Sequence, residues 1–225
     1  MLVAALWIGP AGQRDGVGQQ QDARVDTASL ASGPYAEMCM LLEKTLFQVN
    51  VLTVRIRFGP ETAARLRALA QSSEPSGALR DSIVSTALRA RDALVRAGFL
   101  RGVGLDRFIE ETRKNLRRAR DAGIITGVAF RRISESLPEW YDFLEERGIR
   151  EGDEIVYRIR GDTLRSLYRL RDGSLPLDLT ETGRQRRLAV LGSYLAPGSE
   201  FRRPLIRSLL RGKERRCPPG PGTAE

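Results

Sequence analysis

The side chains able to do chemistry in this chain are few, and histidine is not among them. Without an imidazole there is no Ser-His-Asp triad, and a zinc site loses its usual nitrogen ligand. The two cysteines, Cys39 and Cys217, lie far apart at no metal-binding spacing. No metal centre is expected. Cys217 precedes the run Pro218-Pro219-Gly220-Pro221-Gly222, a flexible setting that disfavours a Cys39–Cys217 disulfide. Glu110-Glu111 and Glu145-Glu146 are paired carboxylates, but adjacent residues on a helix point apart, so each pair reads as a solvated face. Gly102-Val103-Gly104 lacks the third glycine and the following acid of a dinucleotide fingerprint. No cofactor is expected, and no catalytic residue can be named. What remains are arginines beside apolar, strand-like sequence, of which Arg55 and Arg101 are the candidates. A cation bordering a greasy slot holds a carboxylate by a charge-assisted, two-point pair.

The wider composition narrows the partners. The 225 residues carry 37 Lys+Arg against 28 Asp+Glu, a net charge of +9, and 41% hydrophobic residues. That suits one domain with a real core. Most arginines alternate with acids along predicted helices, so the charge reads as solvated surface and no nucleic-acid partner is expected. The stretch from Arg202 to Arg216 is poor in acids, yet it has no interleaved aromatics apart from Phe201. No apolar run is long enough to span a membrane. Residues 1–37 read as a disordered leader or the remnant of a secretory signal, 38–211 as the folded domain and 212–225 as a disordered tail. The first alternative implies a cytoplasmic protein, the second a periplasmic or secreted one. Composition says nothing of oligomeric state.

The elements that must position Arg55 and Arg101 follow from periodicity. Thr45 to Phe58 alternates as a strand apolar on both faces at its centre, stopped by Gly59-Pro60. Glu61 to Ala70 is a short helix. Leu79 to Ala97 is a helix stopped by Gly98, and Phe99 to Val103 a brief apolar link. Asp106 caps a helix over 107–122. Phe130, Ile133 and Leu137 mark another helix, and a further turn starts at Pro138. From Gly152 to Leu179 short strands alternate with Gly/Asp turns, closed by Thr180-Glu181-Thr182-Gly183 at the start of a Leu-spaced helix. Phe201, Leu205, Ile206, Leu209 and Leu210 make the last one. The tally is an α+β domain: an antiparallel sheet of about six strands packed on helices.

This order of elements resembles the chalcone isomerase family, in particular its bacterial and fatty-acid-binding types. The likeness runs from about Met38 to Leu210 and rests on Lys44 to Val51, on Phe99-Leu100-Arg101-Gly102-Val103 before a helix, on the meander from Gly152, and on Leu179-Thr180-Glu181-Thr182-Gly183 followed by Leu191-Gly192. The resemblance implies an open-faced β-sandwich with helices on one face of the sheet and a ligand cleft between. It implies either a protein that binds a fatty acid or similar amphiphile, or an isomerase (intramolecular lyase) acting on an enone. Under it the family's strand threonine falls on Asn50, its water-orienting tyrosine on Phe108, its helical asparagine on Asn115 and its last threonine on Thr182; the catalytic arginine has no clear equivalent beyond Lys44. Cyclisation of a chalcone needs a cation beside the phenoxide and a donor to the developing enolate. Phe108 cannot donate, so chalcone cyclisation is disfavoured, while Asn50, Asn115 and Thr182 remain able to orient a polar ligand group.

Overall fold

The computed structural model describes residue 30 and residues 33–44, 49–71, 76–211 and 217, with the backbone alone at 43, 44, 49 and 50. The expected leader and tail therefore lie mostly outside the described residues. Six strands form one antiparallel sheet in which each strand pairs with its neighbours in sequence: β1 (Ala36–Lys44), β2 (Val49–Phe58), β3 (Asp92–Phe99), β4 (Glu154–Arg160), β5 (Thr163–Arg169) and β6 (Leu177–Thr182). Helices α1 (Pro60–Gln71) and α2 (Gly77–Leu88) fill the β2–β3 connection. The β3–β4 connection holds α3 (Leu105–Asp121), α4 (Gly127–Trp140) and a 3-10 turn (Asp142–Leu144). After β6 come α5 (Arg184–Leu195) and α6 (Arg202–Leu210). The fold is the α+β arrangement expected, an open antiparallel sheet with helices packed against it.

Period-two alternation divides the two faces of the sheet. Val54, Ile56, Phe58, Ala93, Val95, Ala97, Ile155, Ile159, Leu164 and Tyr168 are buried on the helical side. Their neighbours turn outward and build cross-strand ion pairs. Arg96 grips Glu154 in two bonds of 2.8 and 2.9 Å, Glu154 also pairs with Arg169, and Arg165 grips Asp178 at 2.9 and 2.7 Å. Burying one large apolar side chain stabilises by roughly 1.5–3 kcal/mol, whereas ion pairs as buried as these lose much of their attraction to the cost of desolvating both charges. The helical side therefore carries the fold. On the outer side Leu94, Val156 and Leu167 form a small apolar patch, and Leu30 is buried against it.

Several elements depart from the sequence reading. Ala36–Lys44 is the edge strand β1, where no strand is predicted; the predicted strand from Thr45 begins at Val49, and 45–48 lie outside the described residues. The predicted helix from Leu79 to Ala97 is two elements: α2 ends at Leu88 and β3 starts at Asp92. Ser76, not Leu79, opens α2, its hydroxyl accepting from the Leu79 amide at 3.1 Å. The N-cap of α3 is Gly104; Asp106 sits in the first turn, where its charge suits the helix dipole. Thr180-Glu181-Thr182 belongs to β6 rather than to a helix start. Pro138 lies inside α4 rather than opening a new turn. Proline cannot donate to the carbonyl four residues back, and Arg113 supplies the missing donors, its Nε and Nη2 reaching Ser134 O at 3.2 and 3.1 Å. The disfavoured disulfide is present: Cys39 and Cys217 are joined, their Cα atoms 5.7 Å apart. Cys217 is brought alongside the edge strand, so the tail's composition is a poor guide to its position.

Candidate functional site

The inner-face side chains fall into two apolar clusters, one under α1, α2 and α6, the other under α3 and α4, with α5 shared. Where the clusters meet, the helices do not close on the sheet, leaving a cavity of about 390 Å³. That volume suits a small ligand. Leu52, Ala97, Phe99, Ile155 and Tyr157 form its floor, from β2, β3 and β4. Phe108, Thr112 and Asn115 from α3, Ser193 and Tyr194 from α5, and Phe201 form its roof.

The geometry traces to local features. The register of β1 on β2 slips between Leu42 and Glu43, so that Leu42 pairs with Leu52 and Glu43 with Asn50, leaving Val51 as an extra residue. Such a bulge bends the strand and re-aims its side chains. Val51 lines the cavity, and its carbonyl accepts the Leu100 amide at 3.0 Å. Val103 and Ile149 exchange backbone bonds of 3.0 and 3.1 Å. These ties hold the turn that carries Arg101. Both Arg101 and Arg107 line the cavity yet are exposed, which places them at its mouth. Neither forms an ion pair among the described residues. Glu111, also in the lining, approaches Lys114 Nζ at 3.6 Å.

The depths of the cavity are apolar with scattered donors. Asn115 is buried; its carbonyl oxygen accepts Arg118 Nη1 at 2.8 Å, which leaves its amide hydrogens to donate to a guest. Burial pushes the pKa of Tyr157 up against a smaller opposing effect of the Tyr141 hydroxyl, and pushes Tyr141 and Tyr194 up as well. These phenols stay neutral and serve as donors rather than as bases. Phe108 packs edge-on to Phe99 and Tyr141, ring centroids 6.1 and 5.0 Å away, as a wall of the slot. The only cations in the described lining are those at the mouth. The arrangement can seat an alkyl chain inside with an anion at the rim, and offers no cation deep enough to hold a phenoxide.

Arg101, Phe108 and Asn115 are thus brought together. Arg55 and Thr182 are not. Arg55 alternates with buried Val54 and Ile56, so it points to the outer face, 3.6 Å from Glu37. Thr182 shares the outward parity of Asp178 and Thr180 and is exposed at the end of β6. Asn50 adjoins the bulge, and its side chain lies outside the described atoms. Sequence reasoning missed Arg107, Thr112, Tyr157, Ser193 and Tyr194. Tyr157 was within reach, since it stands between Ile155 and Ile159 on the apolar parity of β4. The remaining group of potential metal ligands among the described residues, Glu37, Cys39 and Cys217, has its two sulfurs joined to each other. No helix among the described residues is long and apolar enough to cross a membrane.

No protein-family model matches the chain, and no curated protein matches it in sequence. Among solved structures it is similar to the fatty-acid binding protein of Arabidopsis thaliana, with a TM-score of 0.49 and 11% sequence identity, over 78% of this chain and 86% of that one.

Proposed function

We propose that this protein binds a fatty acid or a similar amphipathic anion between sheet and helices, without cyclising chalcones. The observation that carries the reading is a cavity of about 390 Å³ with apolar walls and two arginines at its mouth, Arg101 and Arg107, that form no ion pair among the described residues. The walls remove the chain from water, at roughly 25 cal/mol per Å² of apolar surface. The rim keeps the carboxylate hydrated and paired, so no charge needs to be buried. The resemblance to the chalcone isomerase family points the same way, and Phe108 at the position of that family's tyrosine supports a member without cyclase chemistry.

The test is thermal unfolding of the delipidated protein. Long-chain fatty acid should raise the Tm, by an amount growing with the logarithm of its concentration. Replacing both rim arginines, Arg101→Gln with Arg107→Gln, should weaken binding by about tenfold or more, the worth of a charge-assisted hydrogen bond. Arg55→Gln, on the other face, should leave binding unchanged. An unchanged Tm at saturating ligand in a folded protein refutes the reading. Turnover of a 2′-hydroxychalcone faster than buffer would favour the isomerase instead.

A further inference from the structure

The outer face of the sheet is covered as well as the inner one. A sheet face left to solvent shows every second residue exposed. Here the outward residues Leu94, Glu154, Val156, Arg158 and Leu167 are only 2% to 6% exposed. The apolar faces of the helices are spent on the inner side and do not provide this cover. Val156 and Leu167 are direct cross-strand partners, and Leu94 is diagonal to Val156. Leu30, which precedes the first strand, joins these three in one cluster and is 3% exposed. The path of the chain to that point is marked. Just before β1, the Arg57 guanidinium of the outer face lies 4.7 Å from the centroid of the Tyr35 ring, and the Tyr35 carbonyl accepts Arg67 Nη2 of α1 at 2.6 Å. From β1 to β4, the middle of the patch, is three strand spacings, about 14 Å. Leu30 precedes Ala36, the first residue of β1, by six residues, a reach of about 20 Å when extended. The chain therefore enters β1 from across the outer face, transverse to the strands.

We propose that this face is a docking surface for the chain's own amino-terminal segment, residues 22–29, laid as a strap from β4 towards β6 with Leu30 as its anchor. Direction argues for it: a chain that travels from β4 to β1 in reaching Ala36 comes from the β6 side. Length agrees. Two strand spacings, about 10 Å, separate β4 from β6, and eight residues cover about 12 Å even as a helix. Charge agrees too. Around the patch the face carries Arg96, Arg158, Arg165 and Arg169 against Glu154 and Asp178. The segment carries Asp22 and Asp26 against Arg24, the opposite balance. The strap keeps Leu94, Val156 and Leu167 from water and from the apolar surfaces of other molecules. The inference does not depend on the ligand cavity, which lies on the other side of the sheet.

Limited trypsin digestion of the folded full chain, read by mass spectrometry at Arg24, tests this. The reference is a synthetic peptide of residues 16–36, in which Arg24 is the sole tryptic site. Access requires the strap to lift, so cleavage at Arg24 should be at least about tenfold slower in the protein than in the peptide. Leu30→Asp puts a charge at the anchor and should restore the peptide's rate. Leu30 lies outside the sheet, so this variant keeps the six strands, which circular dichroism and melting verify. Cleavage of the wild type at the peptide's rate overturns the proposal. So does protection that survives Leu30→Asp in a folded chain, because the anchor would then be idle. Protection that falls on dilution, with a matching change in sedimentation, would assign the face to a second copy of the chain instead. The wild-type rate is decisive alone, so the result does not depend on the variant folding.

Discussion

Asp153 is a carboxylate with no exposed side-chain surface, and the number of its donors explains why it can be charged there. It accepts Arg147 Nη1, the Arg150 amide and the Tyr168 hydroxyl, each at 2.9 Å, and the Arg171 amide at 3.3 Å. Burial alone pushes its pKa up; the bonds from Arg147, the Arg150 amide and Tyr168 outweigh burial and hold it below the ordinary carboxylate value. The folded protein thus binds this proton less readily than the unfolded chain. Its stabilisation is full above the unfolded value and is lost as pH falls through the lowered folded one. Acid titration of stability should show that loss, and Asp153→Asn should abolish it while costing about 1–3 kcal/mol at neutral pH, because asparagine offers one acceptor oxygen where the donors of Arg147, Arg150, Tyr168 and Arg171 converge on two. Denaturant unfolding as a function of pH checks both. In the sequence Gly152-Asp153 reads as an ordinary turn. Its burial was not legible, because Tyr168 arrives through the β4–β5 hairpin and Arg147 through the end of the α4 connection.

At the scale of elements, the roof of the cavity depends on how closely α5 approaches α3. A Cβ built on Gly192 would lie 2.9 Å from Ile124 Cγ2 and 3.1 Å from Ala119 Cβ. Two effects compete in Gly192→Ala. Helix propensity favours alanine by about 1 kcal/mol, while overpacking costs typically about 1–3 kcal/mol. Ala119 is a helix residue and cannot rotate away, so overpacking wins and a net loss of about 1 kcal/mol is expected by chemical denaturation. Gly192→Val should lose more and loosen the roof. The meander and α3, α5 and α6 were legible because each repeats its period with turn glycines or aspartates between. The α2–β3 boundary was not: the chain turns at Arg89-Ala90-Arg91, without glycine or proline, and Ala93-Leu94-Val95-Arg96-Ala97 suits either period. Gly98, which reads as a helix stop, is an interior residue of β3 facing Thr53, whose hydroxyl donates to its carbonyl at 3.2 Å. The same limit applied to the site. Asn115 and Phe108 were reachable as one helix face, whereas the outward parity of Arg55 becomes visible only once its neighbours are known to be core.

For the molecule as a whole, the edge strand β1 is guarded rather than open. The Cys39 amide donates to Ser208 Oγ of α6 at 2.8 Å, and the disulfide ties Cys217, beyond the end of that helix, to the same strand. Leu205, Ile206 and Leu209 hold α6 in the core independently. Reduction should therefore leave the domain folded but less stable, by about 2–4 kcal/mol. Melting with and without a thiol reductant, compared with Cys39→Ser, measures it; equal melting would show that the bond does not constrain the unfolded chain. The bond also spans 178 residues of sequence, which makes nearly the entire domain one covalent ring. A protease that cuts the ring once cannot separate the pieces: the nicked protein should migrate as a single species in a non-reducing gel and resolve into two fragments only after thiol is added.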